Sequence, residues 1–140
     1  MTTAATDTAA WRQVQGIVLL AHGSRDPRWR EPIEAVAAQT TARAPDALVT
    51  CAYLELAAPD LSMATAALIN AGATAIRVVP LFLGMGKHAR EDLPRQVEAL
   101  RQAWPQTVFT LARIVGEEPE LIGLLAQVAT RDDAESTSQS

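Results

Sequence analysis

The sequence predicts an α/β domain: a single doubly wound, four-stranded parallel sheet of order 2-1-3-4 with helices on both faces. Three observations carry this. Four short apolar runs read as buried strands, residues 16–21 (GIVLLA), 48–54, 75–81 (AIRVVPL) and 107–112 (TVFTLA). The segments between them place apolar residues three and four apart, which is the helical period. The strands are apolar almost throughout rather than alternating, as strands covered on both faces are. Right-handed crossovers then leave few topologies. The flavodoxin-like order 2-1-3-4 reverses the winding between strands 1 and 3 and opens a crevice outside their carboxyl ends.

Each element follows in order. Residues 1–14 are rich in Ala and Thr and are expected to be a flexible extension, with the folded domain over 15–130 and a disordered polar tail over 131–140. After the first strand, Pro27 to Arg43 reads as a helix with Ile33, Val36, Ala37 and Thr40 on one face. The second helix runs from Pro59 to Ala71, carries Leu61, Ala64 and Leu68 inward and is closed by Gly72. Asp92 is expected to cap the third, which buries Leu93, Val97, Leu100 and Trp104. Pro119 opens the last, with Leu121, Leu124, Leu125 and Val128 facing the sheet.

Composition narrows the function classes. With 140 residues, 49% apolar and 20% charged, the chain suits one globular domain. A formal charge of −4 argues against nucleic acid as the main partner. The lone Cys51 excludes an intrachain disulfide and a cysteine zinc site, and a buried, inert thiol is expected inside the second strand. No apolar run reaches the roughly 20 residues of a membrane span, and no basic stretch precedes an apolar one as in a secretory signal. A cytoplasmic protein with no membrane partner is expected.

The chain has two histidines, and both fall at the expected crevice. His22 ends the first strand, His88 lies in the loop after the third, and Glu55 ends the second. Neighbouring strands are ~4.8 Å apart, so three adjacent strand ends can converge on one small ion. Two imidazoles and a carboxylate suit a divalent first-row metal and leave coordination positions open. Ser24, Arg25 and Arg28 follow His22, while Lys87 and Arg90 flank His88. Cations grouped beside a crevice in an acidic chain fit an anionic, polycarboxylate ligand. Backbone amides around Gly84, Met85 and Gly86 can add donors. Trp29 either lines the crevice or packs the first helix. GMGKH lacks the glycine spacing of a phosphate-binding Walker loop, and neither G-x-G-x-x-G nor G-x-S-x-G is present.

In this order and spacing, LLAHGSRDPRW, AYLELAAPDL and VVPLFLGMGKHAREDLP resemble the small, single-domain form of the sirohydrochlorin cobaltochelatase and ferrochelatase family, the class II tetrapyrrole chelatases. The likeness spans about residues 16–130. It implies that His22, Glu55 and His88 handle the metal and act in catalysis, and that the substrate is sirohydrochlorin, a planar tetrapyrrole with several carboxylates. Candidate substrate contacts are then Ser24, Arg25, Arg28, Lys87, Arg90, Gly84 and Gly86. Larger members contain two fused copies of the unit, so the resemblance implies a homodimer. The His-rich tail of some members is absent.

The expected reaction inserts Co2+ or Fe2+ into sirohydrochlorin, in cobalamin or siroheme biosynthesis, with no organic cofactor. N and O donors accept Ni2+ as well, so the ligand set does not choose the metal. Insertion releases two pyrrole N–H protons, and imidazole is the side chain that takes up protons near neutral pH. The alternative reading is a non-catalytic protein that binds or delivers a divalent metal. A flavodoxin-like electron carrier is disfavoured by the bulky loop HGSRDPRW.

Overall fold

The structure is a computed structural model that describes residues 13–132. Apart from residues 13–14 and 131–132, the expected extension and tail lie outside the described residues. Four strands, β1 (Gln15–Ala21), β2 (Leu48–Tyr53), β3 (Ala75–Pro80) and β4 (Val108–Leu111), form one sheet of order β2-β1-β3-β4. Every pairing is parallel, and Val18 aligns with Thr50 on one side and Val78 on the other. The helices are α1 (Glu31–Arg43), α2 (Leu61–Asn70), α3 (Lys87–Ala103) and α4 (Pro119–Ala129), with short 3-10 turns at Pro27–Arg30 and Val115–Glu117.

The core lies on one face of the sheet. Val18, Leu20, Ile76, Val78 and Phe109 meet Leu61, Ala64 and Leu68 of α2 and Leu93, Val97 and Leu100 of α3. These positions alternate along each strand, as the two-residue period requires. Helix α1 covers β2 and β1 from the other face, with the Cys51 Sγ 3.9 Å from the Ile33 carbonyl. Helix α2 is bounded by local chemistry. The Asp60 carboxylate accepts the Met63 N–H at 2.8 Å. Gly72, at φ 112, lets the chain turn so that the Gly72 and Ala73 N–H groups donate to Ile69 and Leu68.

Three expectations are corrected. The helix read from Pro27 splits, and residues 27–30 wind as a 3-10 turn before α1. Pro32 has no N–H to return to the Arg28 carbonyl, which removes the bond that would continue an α-helix there. Helix α3 begins five residues before Asp92, at Lys87, with Gly86 as its N-cap, and carries Pro94 inside it. His88 is therefore on a helix rather than in a loop. Asp92 followed by Pro94 mimics a helix start, yet the Arg90 N–H already closes onto the Gly86 carbonyl at 3.0 Å. Finally, α4 buries none of its residues, and Leu124, Leu125 and Val128 are exposed. The sheet face beside it presents Arg77 and Thr110, both exposed, so an apolar helix finds little to pack on.

Candidate functional site

The sheet's carboxyl edge is stitched together beyond the last strand residues. The Leu54 N–H donates to the Ala21 carbonyl at 2.9 Å, and the Glu55 N–H to the His22 carbonyl at 3.0 Å. Across the other side, the Leu81 N–H reaches the Leu20 carbonyl at 2.8 Å and the Gly116 N–H the Phe82 carbonyl at 2.9 Å. Two glycines make this possible. Gly23 has φ 107, and a Cβ there would run into the Glu55 carbonyl; a Cβ on Gly116 would run into the Leu83 carbonyl. All four post-strand loops thus hold fixed positions relative to one another.

His22 stands at the middle of this edge. Its ring lies on Phe82, with centroids 4.3 Å apart and planes inclined by 30°. Phe82 is buried in the core, so the imidazole is backed by a rigid apolar surface while the residue remains exposed. Glu55 is exposed one loop away, tied to His22 through the backbone. His88 is the second residue of α3, also exposed. The structure brings these three to one edge but does not gather them into a cage. Among the described residues, no three His, Cys, Asp or Glu side chains lie close enough together to hold a metal ion. The His22 ring is laid on Phe82, and Leu56, directly after Glu55, has φ 64.

The expected anion contacts surround this edge. The first turn of α3 holds Lys87, His88 and Arg90, has no acidic residue and lacks a side-chain cap. Helix N-termini carry partial positive charge, so cations there are disfavoured unless an anion joins them. Among the described residues the ion pairs are Arg95–Asp92, Arg101–Glu98 and Arg113–Glu118, and none of them engages Arg25, Arg28, Lys87 or Arg90. Ser24 folds its own loop: its Oγ accepts the Asp26 N–H, and Asp26 accepts the Arg28 N–H, each at 3.0 Å. Gly84 and Gly86 border open space, with nothing within 4 Å of an added Cβ.

Several residues at the edge escaped the sequence reading. A cavity of about 210 Å³ opens beside the His22–Phe82 pair, lined by Leu54, Phe82, Ala89, Asp92, Leu93 and Gln96. It shares Leu54 and Gln96 with a larger cleft of about 530 Å³ that runs between α2 and α3 to Trp104. Ala89, Asp92, Leu93 and Gln96 share one helical face, a signal available once the helix is started at Lys87. Trp29 packs towards Tyr53, with ring centroids 6.2 Å apart. The Arg30 guanidinium lies 5.8 Å from the centre of the Tyr53 ring, and its Nε is buried without a protein partner. Away from the edge, burial and then the Glu34 carboxylate push the Cys51 thiol up from its ordinary value, which makes it a poor nucleophile.

Residues 16–132 match the family model described as CbiX. The chain belongs to the CbiX family. A sirohydrochlorin cobaltochelatase of Sulfolobus acidocaldarius is 28% identical over 83% of this chain and 90% of its own length. A sirohydrochlorin ferrochelatase of Priestia megaterium is 25% identical over 81% of this chain, but over only 43% of its own length. The chain therefore spans less than half the length of that relative. A solved CbiX protein of Marinobacter aquaeolei VT8 is 37% identical and superposes with a TM-score of 0.71, covering 82% of this chain and 93% of that one.

Proposed function

We propose that this protein is a sirohydrochlorin metal chelatase that exchanges two pyrrole N–H protons of sirohydrochlorin for one Co2+ or Fe2+ ion. The observation that carries the reading is His22, backed by Phe82 at the centre of the carboxyl edge, with Glu55 bonded to its loop and the cationic first turn of α3 beside it. The names of the relatives support both metals. Nickel is compatible with the same donors.

In this reading the metal is a substrate. Imidazole nitrogens of His22 and His88 receive it, with Glu55 offsetting charge or orienting a histidine. The substrate's carboxylates meet Ser24, Arg25, Arg28, Lys87 and Arg90, with backbone amides around Gly84 and Gly86 as further donors. A histidine nitrogen not engaged with metal accepts the pyrrole protons in turn and passes them to solvent, two for each metal ion inserted. The exchange is redox-neutral and needs no organic cofactor. The protein works in the cytoplasm, in cobalamin or siroheme biosynthesis, and as a homodimer. The exposed apolar face of α4, and relatives more than twice the matched length, support a second copy; sedimentation of Leu125→Glu, expected to be monomeric, reads this.

The test follows the absorbance of sirohydrochlorin with Co2+ or Fe2+. His22→Ala and His88→Ala should each cut the insertion rate at least about a hundredfold, in the range of lost acid–base catalysis. Wild-type rates in both variants would sink the assignment. The rival reading, a metal-binding or delivery protein without tetrapyrrole chemistry, predicts that sirohydrochlorin does not bind at all.

A further inference from the structure

Two large apolar side chains stand in solvent on either side of His22. Leu56 is 49% exposed and Leu83 is 66% exposed. Leu56 lies three residues beyond Tyr53, the end of β2, and Leu83 three residues beyond Pro80, the end of β3. Tyr53 and Pro80 pair with Ala21 and Leu20, so the loops that carry the two leucines leave the sheet on either side of the strand that runs into His22. Neither belongs to the hydrophobic core.

Neither position is loosely held. Glu55, just before Leu56, is bonded to the His22 carbonyl and packs its own carbonyl against Gly23. Leu83 packs its carbonyl against Gly116 and follows Phe82, the residue that backs the His22 ring. Among the described residues Leu56 is the sole non-glycine residue with positive φ, a conformation that strains a side chain larger than glycine's. Such strain, kept where glycine would remove it, clusters at sites that use the side chain.

We infer that Leu56 and Leu83 form an apolar rim that receives the hydrocarbon surface of the tetrapyrrole and centres it over His22. This rests on the chelatase reading above. The cations at the edge answer the substrate's carboxylates, which lie at its periphery, and leave its broad apolar faces without a partner. Two fixed leucines flanking the metal-handling histidine supply one, and burying them against the ring removes apolar surface from water on both sides.

The experiment titrates metal-free sirohydrochlorin into wild type, Leu56→Gly and Leu83→Ala. Each variant should bind about tenfold more weakly, the effect of leaving about half a leucine side chain exposed. KM should rise with kcat near wild type, and calorimetric Co2+ binding should not change. Leu56→Gly should melt no lower than wild type, because glycine accepts the positive φ without strain. Leu56→Met and Leu83→Met should restore binding. Variants that bind as tightly as a binding wild type, or a methionine that fails to rescue, overturn the rim alone. A wild type that does not bind sirohydrochlorin overturns the chelatase reading and the rim with it.

Discussion

The His22 imidazole rests on the Phe82 ring at a centroid distance of 4.3 Å. That contact joins the loop after β1 to the loop after β3 at the point where the winding of the sheet reverses. It gives an exposed side chain a buried support, so the imidazole is positioned by the core as well as by its own loop. The same phenyl ring lines the cavity of about 210 Å³ beside it.

Replacing Phe82 by Leu should therefore hit stability and chemistry separately. Phe82 is 2% exposed, and trimming it leaves a void worth about 1–2 kcal/mol. Thermal or urea unfolding measures that part. Insertion should fall further than the folded fraction explains, because His22 loses its aromatic support. An insertion rate that simply tracks the folded fraction would deny Phe82 a positioning role.

Gly23 and Gly84 are both glycines of the carboxyl edge, and they should respond in opposite ways. Gly23→Ala forces a Cβ into the Glu55 carbonyl at φ 107 and should cost about 2–3 kcal/mol while separating the loops that carry His22 and Glu55. Gly84→Ala meets open space and should leave stability unchanged within about 0.5 kcal/mol. Paired urea melts decide it, and equal losses in the two variants contradict the stitched edge.

The contrast shows what the residues reveal before a fold is known. Apolar continuity and helical spacing give the four strands and the intervening helices, and crossover handedness narrows the topologies to a few, among which the flavodoxin-like order places His22 at the crevice. Asp92 is a misleading start signal because it competes with the Gly86 N-cap, whose bond to Arg90 is invisible in composition. Nothing in the local sequence singles out Phe82, which follows the third apolar run. Its role depends on a contact sixty residues away in sequence, which no local pattern encodes. The apolar stripe of α4 was legible, but the surface it should face was not, since Arg77 and Thr110 come from two different strands.

Lys87 offers a test in which stability and binding should move in opposite directions. Three basic residues crowd the first turn of α3, where the helix dipole favours acidic ones. Lys87→Glu should stabilise the fold by about 0.3–1 kcal/mol at low salt. It should also weaken sirohydrochlorin binding several-fold, and the difference from wild type should shrink as salt rises, because exposed charges are screened. Melting curves and titrations at two ionic strengths check both parts. A variant that gains stability and binds as well as wild type removes Lys87 from the substrate contacts.

Cys51 supplies a pH dependence with a defined sign. Burial and the Glu34 carboxylate hold its thiol above the ordinary value, which favours the protonated form in the fold. The raised value contributes stability that is fully present below the thiol's unfolded pKa and is lost as pH rises through the folded value. Wild type should therefore lose more stability between about pH 7.5 and about pH 10 than Cys51→Ser does, a variant with no thiol to ionise. Alkylation by iodoacetamide should be slower in the folded protein than in urea and should accelerate only at the alkaline end. Rapid labelling at neutral pH, or identical alkaline slopes in the two proteins, contradicts a thiol held protonated against α1.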